Sequence, residues 1–154
     1  MSDLRTKVDQ LNQMILEGKT LEAFEKFYSE EVVMQDNDYP ARVGKDVNRQ
    51  YEETFVNGLT EFRGAKVLNT VISDDLAVTE WWMDFTHKDF GTRSYRQLAV
   101  QRWKNGKMVV RWMARGLLDA EKRFRKVKGY RDMPMLRVAL HRHHQGVEST
   151  RRSA

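Results

Sequence analysis

The apolar pattern of this chain changes once, near Gly58, and this change limits the folds that the sequence can adopt. Helical spacing of apolar residues occurs in three stretches, at 4–15, 21–28 and 45–57, with a short strand-like run at 32–35. Strand-like runs then follow at 62–72, 76–87, 93–103 and 107–112. Helices followed by strands predict an α+β fold, with N-terminal helices packed on one face of a curved, mainly antiparallel sheet.

Turn residues separate the four long strand-like runs. Asn105-Gly106 is the dipeptide typical of a two-residue hairpin turn. The segments SDD at 73–75 and KDFG at 88–91 have the composition of tight turns. Consecutive runs are therefore expected to pair as an antiparallel meander.

The charge of the chain is concentrated near its C-terminus. Residues 1–110 hold 15 Lys and Arg against 18 Asp and Glu, whereas residues 111–154 hold 12 against 4, which accounts for the overall net charge of +5. We predict a domain over residues 1–115 and a basic extension over residues 116–154 that is partly helical or disordered. Such an extension makes nucleic-acid binding a minor alternative function, although it has few aromatic residues for base stacking.

Composition also limits the compartment and the chemistry. The chain has no cysteine, which excludes disulfides and thiolate chemistry. Its N-terminal sequence has no apolar signal segment, and no stretch approaches the roughly 18 apolar residues of a membrane span. We expect a cytoplasmic protein without membrane contact.

Three segments carry a resemblance to a known family. They are FYSEEVVMQD at 27–36, EWWMDFTHKD at 80–89 and RWKNGKM at 102–108. In this order and spacing the chain resembles the SnoaL-like branch of the nuclear transport factor two-like superfamily. The resemblance implies a cone-shaped α+β domain with a pocket at its open end. Relatives include ketosteroid isomerases, polyketide cyclases and dehydratases, so the fold alone does not give the reaction.

The resemblance implies a role for Asp36. In ketosteroid isomerases the general base is an Asp at the end of the first short strand, which corresponds to Asp36. The two oxyanion donors of those enzymes correspond to Leu11 and Ala99, which cannot donate a hydrogen bond, and this argues against steroid isomerisation by that mechanism. The alternative is that Asp36 is an ordinary turn residue.

Two more carboxylates lie in an aromatic strand. Glu80, Trp82 and Asp84 share one strand face, and the resemblance turns this face toward the pocket, where Glu80 and Asp84 would assist Asp36 in catalysis and Trp82 would contact the ligand. The alternative is a face packed on a dimer partner or paired with Arg96 and Arg102 of the next strand.

The following strand presents a polar face. Because successive side chains of a strand point to opposite faces, one face carries Tyr95, Gln97, Ala99, Gln101 and Trp103. We predict that its polar and aromatic members, Tyr95, Gln97, Gln101 and Trp103, bind a polar ligand. The alternative is a solvated sheet face.

The apolar face of the EWWMDFTHKD strand provides two further predictions. Trp81, Met83 and Phe85 share this face, and because such a patch is too apolar to leave exposed, we predict a homodimer that buries it. His87 follows at the strand end, where we expect an exposed turn residue.

The sequence therefore favours a small-molecule-binding protein whose ligand is a small hydrophobic or polar organic molecule. The carboxylates fit a cofactor-independent isomerase, cyclase or dehydratase with a carboxylate base, since proton transfer beside a carbonyl needs only a base and an electrophile stabiliser. A non-catalytic ligand-binding or dimerisation module is the alternative. We predict no cofactor and no metal, and the histidines of HRHH at 141–144 have no carboxylate at ligand spacing.

Overall fold

The computed structural model describes residues 3–115, which form three helices and six strands. The helices are α1 (Asp3–Leu16), α2 (Thr20–Phe27) and α3 (Lys45–Gly58). The strands are β1 (Tyr28–Asp36), β2 (Arg42–Val43), β3 (Leu59–Ser73), β4 (Leu76–His87), β5 (Gly91–Lys104) and β6 (Lys107–Arg115). None of these three helices has the length and apolar character required to span a membrane. The predicted extension at 116–154 lies outside the described residues.

The strands form one sheet in the order β2-β1-β6-β5-β4-β3. Strands β3 to β6 pair antiparallel in sequence order, as predicted. Strand β1 pairs parallel with β6, and α3 and the other long strands lie between them along the chain. Parallel neighbours need such a long connection, whereas antiparallel neighbours can be joined by a tight turn.

The first two strands differ from the sequence expectation. β1 is longer than the predicted run at 32–35. The prediction missed its first half because Glu30 and Glu31, which are exposed there, interrupt the apolar pattern. β2 was not predicted, since a strand of two residues has no periodicity to detect. It pairs antiparallel with Val33 and Met34 of β1.

The main core lies where α1 and α2 pack on the sheet. Its buried side chains come from both helices and from four strands: Val8, Leu11, Ala23, Phe24, Phe27, Tyr28, Val32, Met34, Ala77, Trp103 and Met108. Helices on one face of a mainly antiparallel sheet confirm the predicted α+β cone fold. A smaller cluster of Trp81, Ala99 and Met113 lies on the same face and borders a cavity.

Candidate functional site

Two adjoining cavities lie between α3 and the inner face of the sheet. The inner chamber has a volume of about 300 Å³ and is bordered by α1, α3 and strands β3 to β6. The outer chamber, of about 660 Å³, includes the exposed residues Tyr39 and Phe90. Four residues border both chambers: Tyr51, Phe55, Tyr95 and Arg115. These residues form the boundary at which a ligand could contact both spaces.

Alternation along three adjacent strands builds the wall of the inner chamber. Every second side chain contributes, and the set consists of Trp81 and Met83 of β4, Tyr95, Gln97, Ala99 and Gln101 of β5, and Arg111, Met113 and Arg115 of β6. Residues that face each other in the sheet point to the same side, so the register of β4, β5 and β6 brings these side chains together. Phe55 and Val56 of α3 cover them.

Asp36 lies at the end of β1, beside the outer chamber. The next residue, Asn37, connects β1 to β6: its backbone N–H donates to the Met113 carbonyl at 2.8 Å, and its Oδ1 accepts from the Arg115 N–H at 2.8 Å. Asn37 has a φ of 50°, a left-handed conformation that asparagine tolerates better than most residues. This turn places Asp36 beside the side chain of Arg115.

Two arginines neutralise Asp36. Arg42 Nη2 donates to Oδ2 at 2.8 Å, and Arg115 Nη2 lies 3.2 Å from Oδ1. Burial of Asp36 would raise its pKa, but the positive charge of Arg115 and the hydrogen bond from Arg42 lower the pKa below its usual value. The carboxylate is therefore ionised near neutral pH and is a weaker base than a free aspartate.

Asn48 of α3 holds Arg42 in place. The Asn48 amide donates to the carbonyls of Arg42 and Gly44 at 3.0 and 2.8 Å, and its Oδ1 accepts from Arg42 Nε at 3.2 Å. The Arg42 guanidinium also stacks 3.6 Å from the ring centroid of Tyr51. Arg42 is thus fixed on three sides, and its contact with Asp36 is preorganised.

A second buried ion pair borders the inner chamber, between Glu52 of α3 and Arg111 of β6. Arg111 Nη2 donates to Glu52 Oε1, and Nη1 donates to the Tyr28 hydroxyl at 2.8 Å. Burial would lower the pKa of Arg111, but the Glu52 charge raises it well above its usual range. Burial raises the pKa of Tyr28. The sequence analysis did not predict Glu52 as a site residue. The one sequence feature that could have indicated it is its position beside the apolar stripe of α3, four residues after Asn48.

Buried amides complete the polar part of the inner chamber. Gln97 and Asn12 border the chamber, and each has a buried side-chain oxygen without a hydrogen-bond partner. Gln101 also borders the chamber, and its Oε1 accepts from Trp103 Nε1 at 3.1 Å. Trp103 itself lies in the main core and orients Gln101. Of the four residues predicted to bind a ligand on β5, Tyr95, Gln97 and Gln101 border the chamber and Trp103 does not; ligand binding by them remains a prediction.

The prediction that Glu80, Trp82 and Asp84 border the cavity is wrong. Glu80 forms an ion pair with Arg96, and Asp84 accepts from Arg63 Nε at 2.8 Å, both on the outer face of the sheet. The Trp82 ring lies 5.7 Å from the Lys66 ammonium on the same face.

The opposite side chains of β4 face inward instead. Trp81 and Phe85 are only 3% and 1% exposed. Alternation correctly separated the two faces of the strand, but both carry a tryptophan, so the pattern did not identify the buried one.

His87 is buried, which also contradicts the expectation of an exposed turn residue. It stacks between the rings of Phe55 and Phe90, with centroid distances of 5.4 and 4.3 Å. Its Nδ1 accepts from the Asp89 N–H at 3.1 Å, and its ring lies against Gly58. His87 shares the inward face of β4 with Phe85, so it is part of the packing under α3.

Residues 3–115 contain no group of three or more His, Asp or Glu side chains arranged to hold a metal ion. The HRHH segment lies outside the described residues. The absence of a metal or cofactor remains a prediction from the sequence.

The fold and the site together define the class of this domain: an α+β cone of the nuclear transport factor two-like type, with a cavity between its helices and its curved sheet. The model of the SnoaL-like domain matches residues 8–111, which is more than half of the chain. The chain therefore belongs to the SnoaL-like domain family. A search of curated proteins found no match.

Solved structures agree with this assignment. A SnoaL-like protein from Mesorhizobium loti has a TM-score of 0.66 at 18% identity, with 73% of this chain and 98% of that chain covered. A nuclear transport factor two-like protein of unknown function from Burkholderia pseudomallei has a TM-score of 0.66 at 14% identity, with 79% and 97% covered.

A third similar structure contains a bound small molecule. It is a hypothetical protein from Catenulispora acidiphila with a ketosteroid isomerase-like fold, in complex with trimethylamine. Its TM-score is 0.54 at 9% identity, with 65% of this chain and 78% of that chain covered. At these identities the likeness of all three structures shows the fold alone.

Proposed function

We propose that this protein binds a small, mainly apolar organic molecule in the inner chamber. The observation that carries the proposal is a mainly apolar cavity whose border includes two buried amides, Gln97 and Asn12, with unpartnered oxygens. Pockets for small molecules typically combine an apolar wall with a few polar groups that orient the ligand.

The unpartnered amides provide a free-energy reason for binding. A buried polar group without a hydrogen bond costs about 1–3 kcal/mol. Rotation about the last side-chain torsion would turn the amide of Gln97 or Asn12 toward a ligand, which would recover part of this cost. Tyr95 and Gln101 would contribute further polar contacts, and Trp81 and Met83 would contact the apolar body of the ligand.

Proton-transfer catalysis with Asp36 as general base is a second candidate function, as in an isomerase, cyclase or dehydratase. It is favoured by the phenols of Tyr51 and Tyr95, which border both chambers near Asp36 and could stabilise a developing oxyanion in place of the missing donors. The lowered pKa of Asp36 weakens it as a base, so binding without catalysis is the better-supported function.

A test of catalysis is the exchange of activated C–H protons of a small bicyclic ketone such as 2-tetralone in D₂O, followed by NMR. If Asp36 is the base, Asp36→Asn slows protein-dependent exchange about 10²- to 10⁴-fold. Exchange that is equally fast with Asp36→Asn, or no faster with protein than without, contradicts the catalytic role.

A homodimer remains a proposal, but on a different surface. Trp81 and Phe85, on which it was first based, are buried within one chain. The outer face of the sheet carries an apolar row across four strands, formed by the paired residues Val71, Val78, Val100 and Trp112. Val71 is 58% exposed, and a symmetric copy could cover this row. A cytoplasmic location likewise remains a prediction.

The binding proposal is tested by NMR titration of the full chain with naphthalene-2-carboxamide. The side-chain amide signals of Gln97 and Asn12 should shift on binding, while that of Asn105, in the hairpin turn after β5, should not. Shifts confined to surface amides, or no shifts, would contradict binding in the inner chamber.

A further inference from the structure

The charges that border the two chambers are unequal. Within residues 3–115, four arginines and two carboxylates contribute, and no lysine or histidine does: Arg42, Arg93, Arg111, Arg115, Asp36 and Glu52. Arg111 pairs with Glu52, whereas Arg42 and Arg115 share one carboxylate, that of Asp36. The cavity border therefore has an excess of positive charge.

The excess includes Arg115. Its ion pair is with Asp36, at 3.2 Å, and Asp36 already accepts the shorter hydrogen bond from Arg42. Arg93, by contrast, is exposed at the outer chamber and donates to the Thr92 carbonyl. The single charge of Asp36 thus compensates only one of the two guanidinium charges of Arg42 and Arg115, and of these two arginines it is Arg115 that borders the inner chamber.

Arg115 is placed to meet a ligand. It borders both chambers together with Tyr51 and Tyr95, and its side chain is 26% exposed. Arg115 and Tyr95 border the same two chambers, and the charge of Arg115 opposes the rise that burial causes in the pKa of Tyr95. A group held here could contact Arg115 and both phenols while its apolar part occupies the inner chamber.

We infer that the ligand is a small organic anion, a monocarboxylate on an apolar body, with its carboxylate against Arg115 and its body in the inner chamber. This inference rests on the proposed binding function and adds the charge of the ligand. A planar guanidinium matches a carboxylate, and hydrogen bonds between charged groups are the stronger ones. The one uncompensated positive charge shared by Arg42 and Arg115 fits one negative charge on the ligand, whereas a doubly charged phosphate would be repelled more strongly by the neighbouring Asp36.

The test compares two compounds of nearly the same shape, naphthalene-2-carboxylate and naphthalene-2-carboxamide, by calorimetry with the full chain at neutral pH. We expect the carboxylate to bind about 10-fold more tightly or better, since hydrogen bonds to charged groups are stronger than those between neutral groups. Arg115→Gln should remove the preference and Arg115→Lys should keep part of it. Arg102→Gln is the control: it also removes one positive charge, but from an arginine that pairs with Asp75, and it should leave the preference unchanged.

The outcomes separate the inference from the proposed function. Equal binding of both compounds, or a preference that survives Arg115→Gln, overturns the inference and leaves the binding function standing. Binding of neither compound to the wild-type protein overturns both.

Discussion

The carboxylate of Glu52 and the guanidinium of Arg111 form an ion pair between α3 and β6, with side chains only 8% and 11% exposed. Removing one partner leaves a buried charge without compensation, which typically costs about 3–5 kcal/mol. We therefore expect Glu52→Gln to lower the free energy of unfolding by an amount approaching this range, measured by urea denaturation. Glu53→Gln is the matched control, because Glu53 is exposed on the same helix. Equal effects of the two substitutions would contradict the structural role of the pair.

Acid stability should depend on Asp36. Its folded-state pKa lies below the unfolded value of about 3.9, so ionised Asp36 contributes stability that is fully present well above that pH. The contribution is lost as pH falls through the folded-state pKa. Asp36→Asn should therefore be less stable than wild type at pH 7, and the difference should shrink below about pH 4.

The check is a series of urea denaturations between pH 7 and pH 3. Asp38→Asn serves as the control, since Asp38 is exposed in the turn after β1. A stability difference between wild type and Asp36→Asn that stays constant over this range would show that the Asp36 carboxylate contributes nothing through its charge.

The contact between Gly58 and His87 leaves no room for a side chain at position 58. A Cβ on Gly58 would overlap the imidazole ring, which is held between Phe55 and Phe90. Gly58→Ala should destabilise the protein by about 1–3 kcal/mol despite the better helix propensity of alanine. Combined with His87→Ala, the added methyl group should cost much less, which a double-mutant cycle of thermal or urea unfolding would measure. Additive effects would contradict the overlap.

The outer-face row of Val71, Val78, Val100 and Trp112 should decide the oligomeric state. We expect light scattering to give a dimer mass at tens of micromolar protein, and Val100→Glu to give a monomer, because the charge would be buried at the contact. Gln50→Glu, on α3 away from this row, should leave the dimer intact. A monomeric mass for wild type would contradict this interface.

The sequence predicted the elements better than it predicted the site. Long runs with clear periodicity, such as α3 and β3 to β6, gave the correct element types because many residues repeat one pattern. The sequence could not predict which face of β4 points inward. Alternation assigns Trp81 and Trp82 to opposite faces but does not show which of the two tryptophans is buried. Packing of that face against α1 and α3 decides the orientation, and those contacts are distant in sequence.

The polar contacts of the site could be predicted even less. The resemblance correctly placed Asp36 at the end of a strand, but its neutralisation by Arg42 and Arg115 depends on the Asn37 turn and on the pairing of β1 with β6. Arg115 also lies beyond the residues matched by the family model. The pair of Glu52 and Arg111 joins elements far apart along the chain, and a single sequence holds no signal for such pairing.

The central claim is that the inner chamber is the ligand-binding site, and filling it tests this claim most directly. Ala99 is 3% exposed and borders the chamber, whereas its neighbour Val100 points to the outer face of β5. Calorimetry with naphthalene-2-carboxylate would compare Ala99→Phe with Val100→Phe, after circular dichroism has shown that both are folded. We predict that Ala99→Phe abolishes binding and that Val100→Phe retains it. Unchanged binding by a folded Ala99→Phe protein would contradict the claim.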